Sequence, residues 1–261
     1  MDNVNKTLYI PLYGKSFVSK KGIILHDPKA EEIWAAESFP LKGKSASKWL
    51  AYYMGMRSRV FDRWAFEKMK ENPAAAVLHL GCGMDSRVLR VGHHGTWFDV
   101  DFPEVIAQRR RYYEESETYK MIASDIRDGA WLNQMPGNCA IVLMEGISMY
   151  LKQEELKAVL ENLTDRFEKV QILMDCYTEF AAKASKYKNP INDVGVTVVY
   201  GLDDPEVLTG ENIRFCKSHE ITPQDLIDQL QGMEKKIFRK LYAGSIADKM
   251  YRLYEFEGAT R

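Results

Sequence analysis

The spacing of apolar positions changes character near residue 73. Before it, Trp49, Tyr52, Tyr53, Met56, Val60, Phe61 and Trp64 recur at helical intervals and predict one long helix over residues 45–72, stopped by Pro73. Upstream, His26-Asp27-Pro28 is a helix-start signal, with Asp27 able to cap and Pro28 suited to the first turn of a helix over residues 28–37. A helix with so many aromatics must pack against something larger, so residues 1–73 are expected to form a helical cap over a sheet built from the rest of the chain.

Beyond residue 73, short apolar runs alternate with amphipathic stretches. Residues 75–80, 96–100, 118–123, 139–144 and 170–174 predict strands, and residues 86–91, 103–113 and 153–167 predict the helices between them. This alternation implies an α/β fold with an open, doubly wound, mostly parallel sheet. Residues 186–212 are rich in turn formers and predict an insertion over the strand ends. Residues 213–216 and 251–256, with a helix near 223–230 between them, complete a seven-stranded sheet. No repeat or linker divides the chain. The expectation is one domain over residues 1–261: cap 1–73, core 74–185, insertion 186–212 and C-terminal strands and helices 213–261.

Composition narrows the class. With 46% hydrophobic and 28% charged residues the chain is globular rather than disordered. Thirty-six Lys+Arg against 37 Asp+Glu give a formal charge of -1, without the basic excess of a nucleic-acid binder. Arg109-Arg110-Arg111 has no interleaved aromatics and reads as a solvated helix face. No apolar run approaches the roughly 20 residues of a membrane span, and the N-terminus lacks the layout of a secretory signal. Cys82, Cys139, Cys176 and Cys216 are scattered without metal-ligand spacing. These features predict a cytoplasmic protein with reduced thiols, no metal, and neither a nucleic-acid nor a membrane partner.

Candidate chemistry gathers at the first two strands. Leu80-Gly81-Cys82-Gly83-Met84-Asp85-Ser86 is a strand, a glycine turn and a helix start, in which Gly81 and Gly83 let a ligand approach the backbone and Asp85 or Ser86 can cap the helix. Asp99 and Asp101 alternate with Phe98, Val100 and Phe102 at the end of the second strand. A carboxylate there can accept from both ribose hydroxyls of an adenosine, and the pattern leaves open which of the two does so. Ser86 stands where a dinucleotide fingerprint needs Gly or Ala beside a pyrophosphate. A cofactor without phosphates, such as S-adenosylmethionine, fits better than a nicotinamide dinucleotide. Glu145 follows the apolar Ile141-Val142-Leu143-Met144, and a carboxylate at the edge of a core needs a partner.

Several stretches, taken in order, carry a resemblance. They are Tyr9-Ile10-Pro11-Leu12-Tyr13-Gly14-Lys15, Met56-Arg57-Ser58-Arg59-Val60-Phe61-Asp62, the glycine loop, Val100-Asp101-Phe102-Pro103, Glu145-Gly146-Ile147-Ser148-Met149-Tyr150-Leu151 and Tyr200-Gly201-Leu202-Asp203-Asp204-Pro205. Together they resemble the leucine carboxyl methyltransferase family, in particular its tetracenomycin-type polyketide O-methyltransferase branch. The resemblance implies a class I S-adenosylmethionine site. Arg57 would meet the carboxylate of the cofactor's methionine moiety, Gly81 would line the cofactor, and Asp101 rather than Asp99 would hold the ribose. Asp125 and Ile126 would sit beside the adenine, and Glu145 near the ammonium. Gly14-Lys15 departs from the Ala-Arg common in this branch.

Methyl transfer from a sulfonium mainly requires alignment and exclusion of water. A carboxylate acceptor needs no general base, whereas a hydroxyl acceptor can require one. His79 lies within a strand and reads as a core residue; His93-His94 sit in a turn, and His26 and His219 lack a constellation. The lack of an obvious base favours a carboxylate. Tyr150 is placed to orient a substrate oxygen. The expected enzyme is an O-methyltransferase acting on a carboxylate or hydroxyl of a small aromatic or polyketide-like acceptor, as a monomer or homodimer. Three alternatives stand beside it: a nicotinamide-dependent oxidoreductase, a protein C-terminal leucine carboxyl methyltransferase, and an inert cofactor-binding regulator.

Overall fold

The computed structural model describes residues 6–92, 95–188, 191–192 and 198–259, without the side chains of residues 186–188. His93-His94 and part of the expected insertion lie outside the described residues. Among the described residues, the longer helices that come first are α1 (Tyr9–Lys20), α2 (Pro28–Glu37) and α3 (Lys48–Glu71). Asp27 caps α2 by accepting from the Ala30 N–H, and Ser47 caps α3 by accepting from Trp49. Then come β1 (Ala76–Leu80), α4 (Arg87–Val91), β2 (Trp97–Asp101), α5 (Pro103–Arg109) and β3 (Tyr119–Ala123). After these are β4 (Cys139–Met144), α6 (Gln153–Arg166), β5 (Lys169–Tyr177) and α7 (Glu179–Lys188). The chain continues through β6 (Ile213–Ser218), α8 (Gln224–Ile227), α9 (Gly232–Tyr242), α10 (Ser245–Asp248) and β7 (Tyr251–Ala259).

The strands form one seven-stranded sheet in the order β3-β2-β1-β4-β5-β7-β6. β1 to β5 are parallel, with Leu80 opposite both Val100 and Met144, and β7 is antiparallel to β5 and β6. Alternate residues of the buried strands serve the two faces. Ile141 and Leu143 join Met56, Phe61, Trp97 and Leu173 on the side of α3, while Val142 and Met144 join Leu78, Val100, Leu160 and Leu163 on the side of α6. The aromatic face of α3 thus packs on the sheet, with α1 and α2 covering it through Leu12, Val18 and Ile33. The helix expected near residues 223–230 shortens to α8, and α9 is an amphipathic helix that the sequence pattern did not predict. No described helix is long and apolar enough to cross a membrane.

Candidate cofactor and acceptor site

The parallel strands end, at their C-terminal edge, in a cavity of about 860 Å³. It brings together Arg57, Gly81, Gly83, Asp101, Asp125, Ile126, Glu145 and Tyr150, contributed by α3 and by the loops after β1, β2, β3 and β4. Two constraints explain the glycine loop. Gly81 has φ +62°, and a Cβ there would collide with the Ile147 side chain. Gly83, also at positive φ, donates its N–H to Asp101 Oδ2 at 2.7 Å.

Asp99 and Asp101 share a strand face but have separate tasks. Asp99 is fully buried and accepts from Arg109 Nη2 (2.5 Å), Tyr119 OH (2.6 Å) and Trp97 Nε1 (2.9 Å). Burial opposes its charge, but Arg109 and His79 overcome this and bring its pKa to about 2. Asp99 does not line the cavity, so its place among the cofactor-binding candidates is corrected: its acceptor capacity is spent inside the fold. The same pairing corrects the reading of the arginine run, because Arg109 is fully buried rather than solvated. Asp101, by contrast, reaches the cavity and receives only backbone N–H groups, from Gly83 and from Phe102 (2.8 Å). Burial pushes its carboxyl up to about 6.

Glu145 anchors a network of buried ions. It accepts from Arg57 Nε at 3.1 Å and forms a short contact with Arg87 Nη2. Burial disfavours its charge, yet Arg87 and Arg57 outweigh that and draw the pKa to about 2. Arg57 Nη1 donates to Asp175 Oδ2 at 2.7 Å, leaving Nη2 uncommitted to either carboxylate. Arg87, with no exposed surface, donates Nε to Asp62 Oδ1 at 2.7 Å. Arg90 joins Asp62, Asp85 and Asp27, and Lys15 Nζ bonds Asp85 Oδ2 at 2.8 Å.

This network corrects the expected helix cap. Neither Asp85 nor Ser86 caps α4, because Asp85 is held by Lys15 and Arg90 while the Ser86 hydroxyl donates to Asp27 Oδ1. Lys15, Arg87 and Arg90 are not among the residues that the sequence singles out for the site. The one signal for Arg87 and Arg90 is their spacing, a pair of arginines three residues apart directly after a glycine loop, whereas Lys15 stands out only as a departure from the resemblance.

The remaining candidates take simpler positions. Asp125 lines the cavity and pairs with Arg127 (2.6 Å), whose hydrogen bonds lower its pKa. Ile126 lies beside it. Tyr150 keeps its proton, since burial raises its pKa. His79 is a buried core residue whose Nε2 sits 3.1 Å from Arg87 Nη1; burial lowers its pKa, so the ring is neutral and its Nε2 accepts.

Comparison with known proteins decides the lineage. A match to the family described as leucine carboxyl methyltransferase spans residues 3–164. The chain belongs to that family. It is 27% identical over 242 residues to the tetracenomycin polyketide synthesis O-methyltransferase TcmP of Streptomyces glaucescens, covering 90% of this chain and 89% of that one. It is 29% identical over 182 residues to the S-adenosyl-L-methionine-dependent methyltransferase dpfgK of Gibberella zeae, covering 63% and 61%. The fold resembles magnesium protoporphyrin IX methyltransferase (ChlM) of Synechocystis PCC 6803 with bound S-adenosylhomocysteine, at TM-score 0.53 and 11% identity over 88% of this chain and 93% of that one. A putative methyltransferase from Haloferax volcanii, in complex with the Trm112 activator, superposes with the same score at 14% identity, over 88% and 97%.

The protein is therefore an S-adenosylmethionine-dependent methyltransferase, which displaces the nicotinamide alternative. The cavity suits that cofactor on its own terms. Gly81 turns the loop at positive φ beside the cavity where a Cβ would strike Ile147, and Asp101 offers a buried carboxylate bonded only to the Gly83 and Phe102 N–H groups among the described residues, with acceptor capacity left for hydroxyls.

Proposed function

We propose that this methyltransferase places a methyl group on an oxygen of a small, flat, apolar acceptor, with a carboxylate favoured over a hydroxyl. The observation that carries this reading is the mixed lining of the cavity, in which Arg57, Asp101 and Glu145 share the walls with Trp49, Tyr53, Tyr177, Tyr242, Met250 and Tyr251. Arg57, through Nη2, would pair with the cofactor's carboxylate, and Glu145 with its ammonium. Asp101 would accept from the ribose hydroxyls, Asp125 from the adenine amine, and Ile126 would pack on the ring.

Bound S-adenosylmethionine would supply a methyl group activated on its sulfonium for transfer to an acceptor oxygen. The chain has to align that oxygen and keep water out. Tyr150, protonated and at the cavity wall, is suited to hold the oxygen by its O–H. Of the groups lining the cavity, His79 Nε2 is occupied by Arg87, Glu145 is too acidic to act as a base for a hydroxyl, and Asp101, raised to about 6, is taken up by the ribose in this reading. A carboxylate acceptor is already ionised and needs no such group.

The test is calorimetric titration with S-adenosylmethionine and S-adenosylhomocysteine, with a mass-spectrometric screen of aromatic acids and phenols after it. Binding of both adenosyl ligands, and a mass gain of one CH₂ on an aromatic acid, supports the reading. Methylation confined to peptides ending in leucine would replace the acceptor, and binding without any transfer would favour the inert regulator.

A further inference from the structure

Asp175 lies near the end of β5, has no exposed surface and is not among the residues that the sequence singles out. It does not line the cavity, yet two elements that do are fastened to it. One is Arg57, whose Nη1 donates to Asp175 Oδ2 at 2.7 Å. The other is the loop after β4. There the Gly146 N–H donates to Asp175 Oδ1 at 2.5 Å, and the Ser148 hydroxyl donates to the Asp175 carbonyl. Each oxygen of the buried carboxylate thus has its own donor inside the fold.

The two fastenings meet at Arg57. Its Nε donates to Glu145 Oε1 at 3.1 Å, and Glu145 directly precedes Gly146 in the same loop. With Nε and Nη1 both held, a planar guanidinium cannot turn, and its third nitrogen takes a set direction. Gly146 stands beside that nitrogen. Its φ is +76°, and a Cβ there would lie only 3.3 Å from Arg57 Nη2. The loop continues to Ile147, whose side chain occupies the space that a Cβ on Gly81 would enter. One carboxylate therefore ties the guanidinium on α3 to the loop that packs on the glycine turn after β1.

We propose that Asp175 is the positioning residue for the amino-acid end of the cofactor. By holding Arg57 Nη1 and the Gly146 N–H together it aims Nη2 at the cofactor's carboxylate, and so makes affinity depend on that carboxylate. This rests on the pairing of Arg57 Nη2 with the carboxylate given under Proposed function. An asparagine would have nearly the same shape but could not do the task. Its NH₂ would have to face either Arg57 Nη1 or the Gly146 N–H, and each of these is a donor.

The test is calorimetry with S-adenosylhomocysteine and with S-adenosyl-3-thiopropylamine, which keeps the adenosine, the sulfur and the ammonium but lacks the carboxylate. The wild type is expected to bind S-adenosylhomocysteine about tenfold or more tightly than the amine. Asp175→Asn and Gly146→Ala should each shrink that preference toward one by weakening S-adenosylhomocysteine, while the amine binds as it does to the wild type. Gly146→Ala reaches the same guanidinium without altering the buried carboxylate, so it decides the matter if Asp175→Asn does not fold. Equal weakening of both ligands, the mark of a merely structural role, would overturn the proposal, as would a preference left intact in either variant. Wild-type protein that binds the two ligands equally would instead overturn the pairing of Arg57 with the carboxylate. Binding of neither would overturn the cofactor site itself, and the proposal with it.

Discussion

Around Glu145, the guanidinium groups of Arg57, Arg87 and Arg90 hold Asp62, Asp85, Glu145 and Asp175 out of water, whereas along the cavity wall Trp49, Tyr177, Tyr242 and Tyr251 meet through ring faces and edges. The two regions respond differently to change. A buried charge has no graceful substitute, because removing one ion strands its partners in a medium that solvates them poorly. A ring can lose a hydroxyl or move slightly and still fill its space. Fixed chemistry suits the first kind of construction, and a variable acceptor suits the second.

The sharpest way to break the comparison is Arg87→Leu. It removes the guanidinium shared by Asp62 and Glu145, and should cost about 3–5 kcal/mol of stability in urea denaturation. A loss below about 1 kcal/mol would mean that the buried ion network is as forgiving as the aromatic contacts. Next comes the pair of strand-end carboxylates. Asp101→Ala should weaken S-adenosylhomocysteine binding by about 1–3 kcal/mol with little effect on unfolding. Asp99→Asn should do the opposite, lowering the denaturation midpoint while the folded fraction binds normally. Equal effects in the two variants would erase the distinction drawn between them.

The pH response is smaller and has a definite sign. Asp101, raised to about 6, loses its full acceptor strength as it protonates, so cofactor affinity should fall below that pH by up to about tenfold per unit. For stability the same group acts in the reverse sense. Its raised pKa means that ionisation costs stability above about pH 6, and the cost is relieved as pH falls toward the unfolded value near 4. Glu145 and Asp99, drawn to about 2, stabilise the fold above the ordinary carboxylate range and lose that contribution as pH falls from about 4 toward 2. Calorimetry of Asp101→Asn across this range should show a flat affinity. The smallest effect belongs to Glu234→Gln, in the aromatic contact between α9 and α3, about 0.2–1 kcal/mol for a half-exposed pair, read from the thermal midpoint.

Legibility in the sequence has the same division. β4 is readable with its observed limits because a buried parallel strand is a continuous apolar run, here closed by Glu145. α3 is readable from its aromatic period, ended by Asn72 and Pro73. The pair Asp99 and Asp101 is readable as a face, yet alternation says nothing about Arg109 arriving from α5 to consume one of them. Arg87 and Arg90 look like ordinary helix charges, since their partners Asp27 and Asp62 lie far upstream in the chain. α9 carries apolar residues at helical spacing, but its glycine-bracketed run lies between two expected strands and is easily taken for their connection.

The placement of β7 has a consequence for biosynthesis. This last strand lies between β5 and β6, and β6 has no other neighbour among the described strands. While residues 251–259 are still inside the ribosome, β5 is left as a bare edge and β6 has nothing to pair with. The nascent protein can assemble its parallel strands early, but the exposed edge persists until synthesis reaches β7.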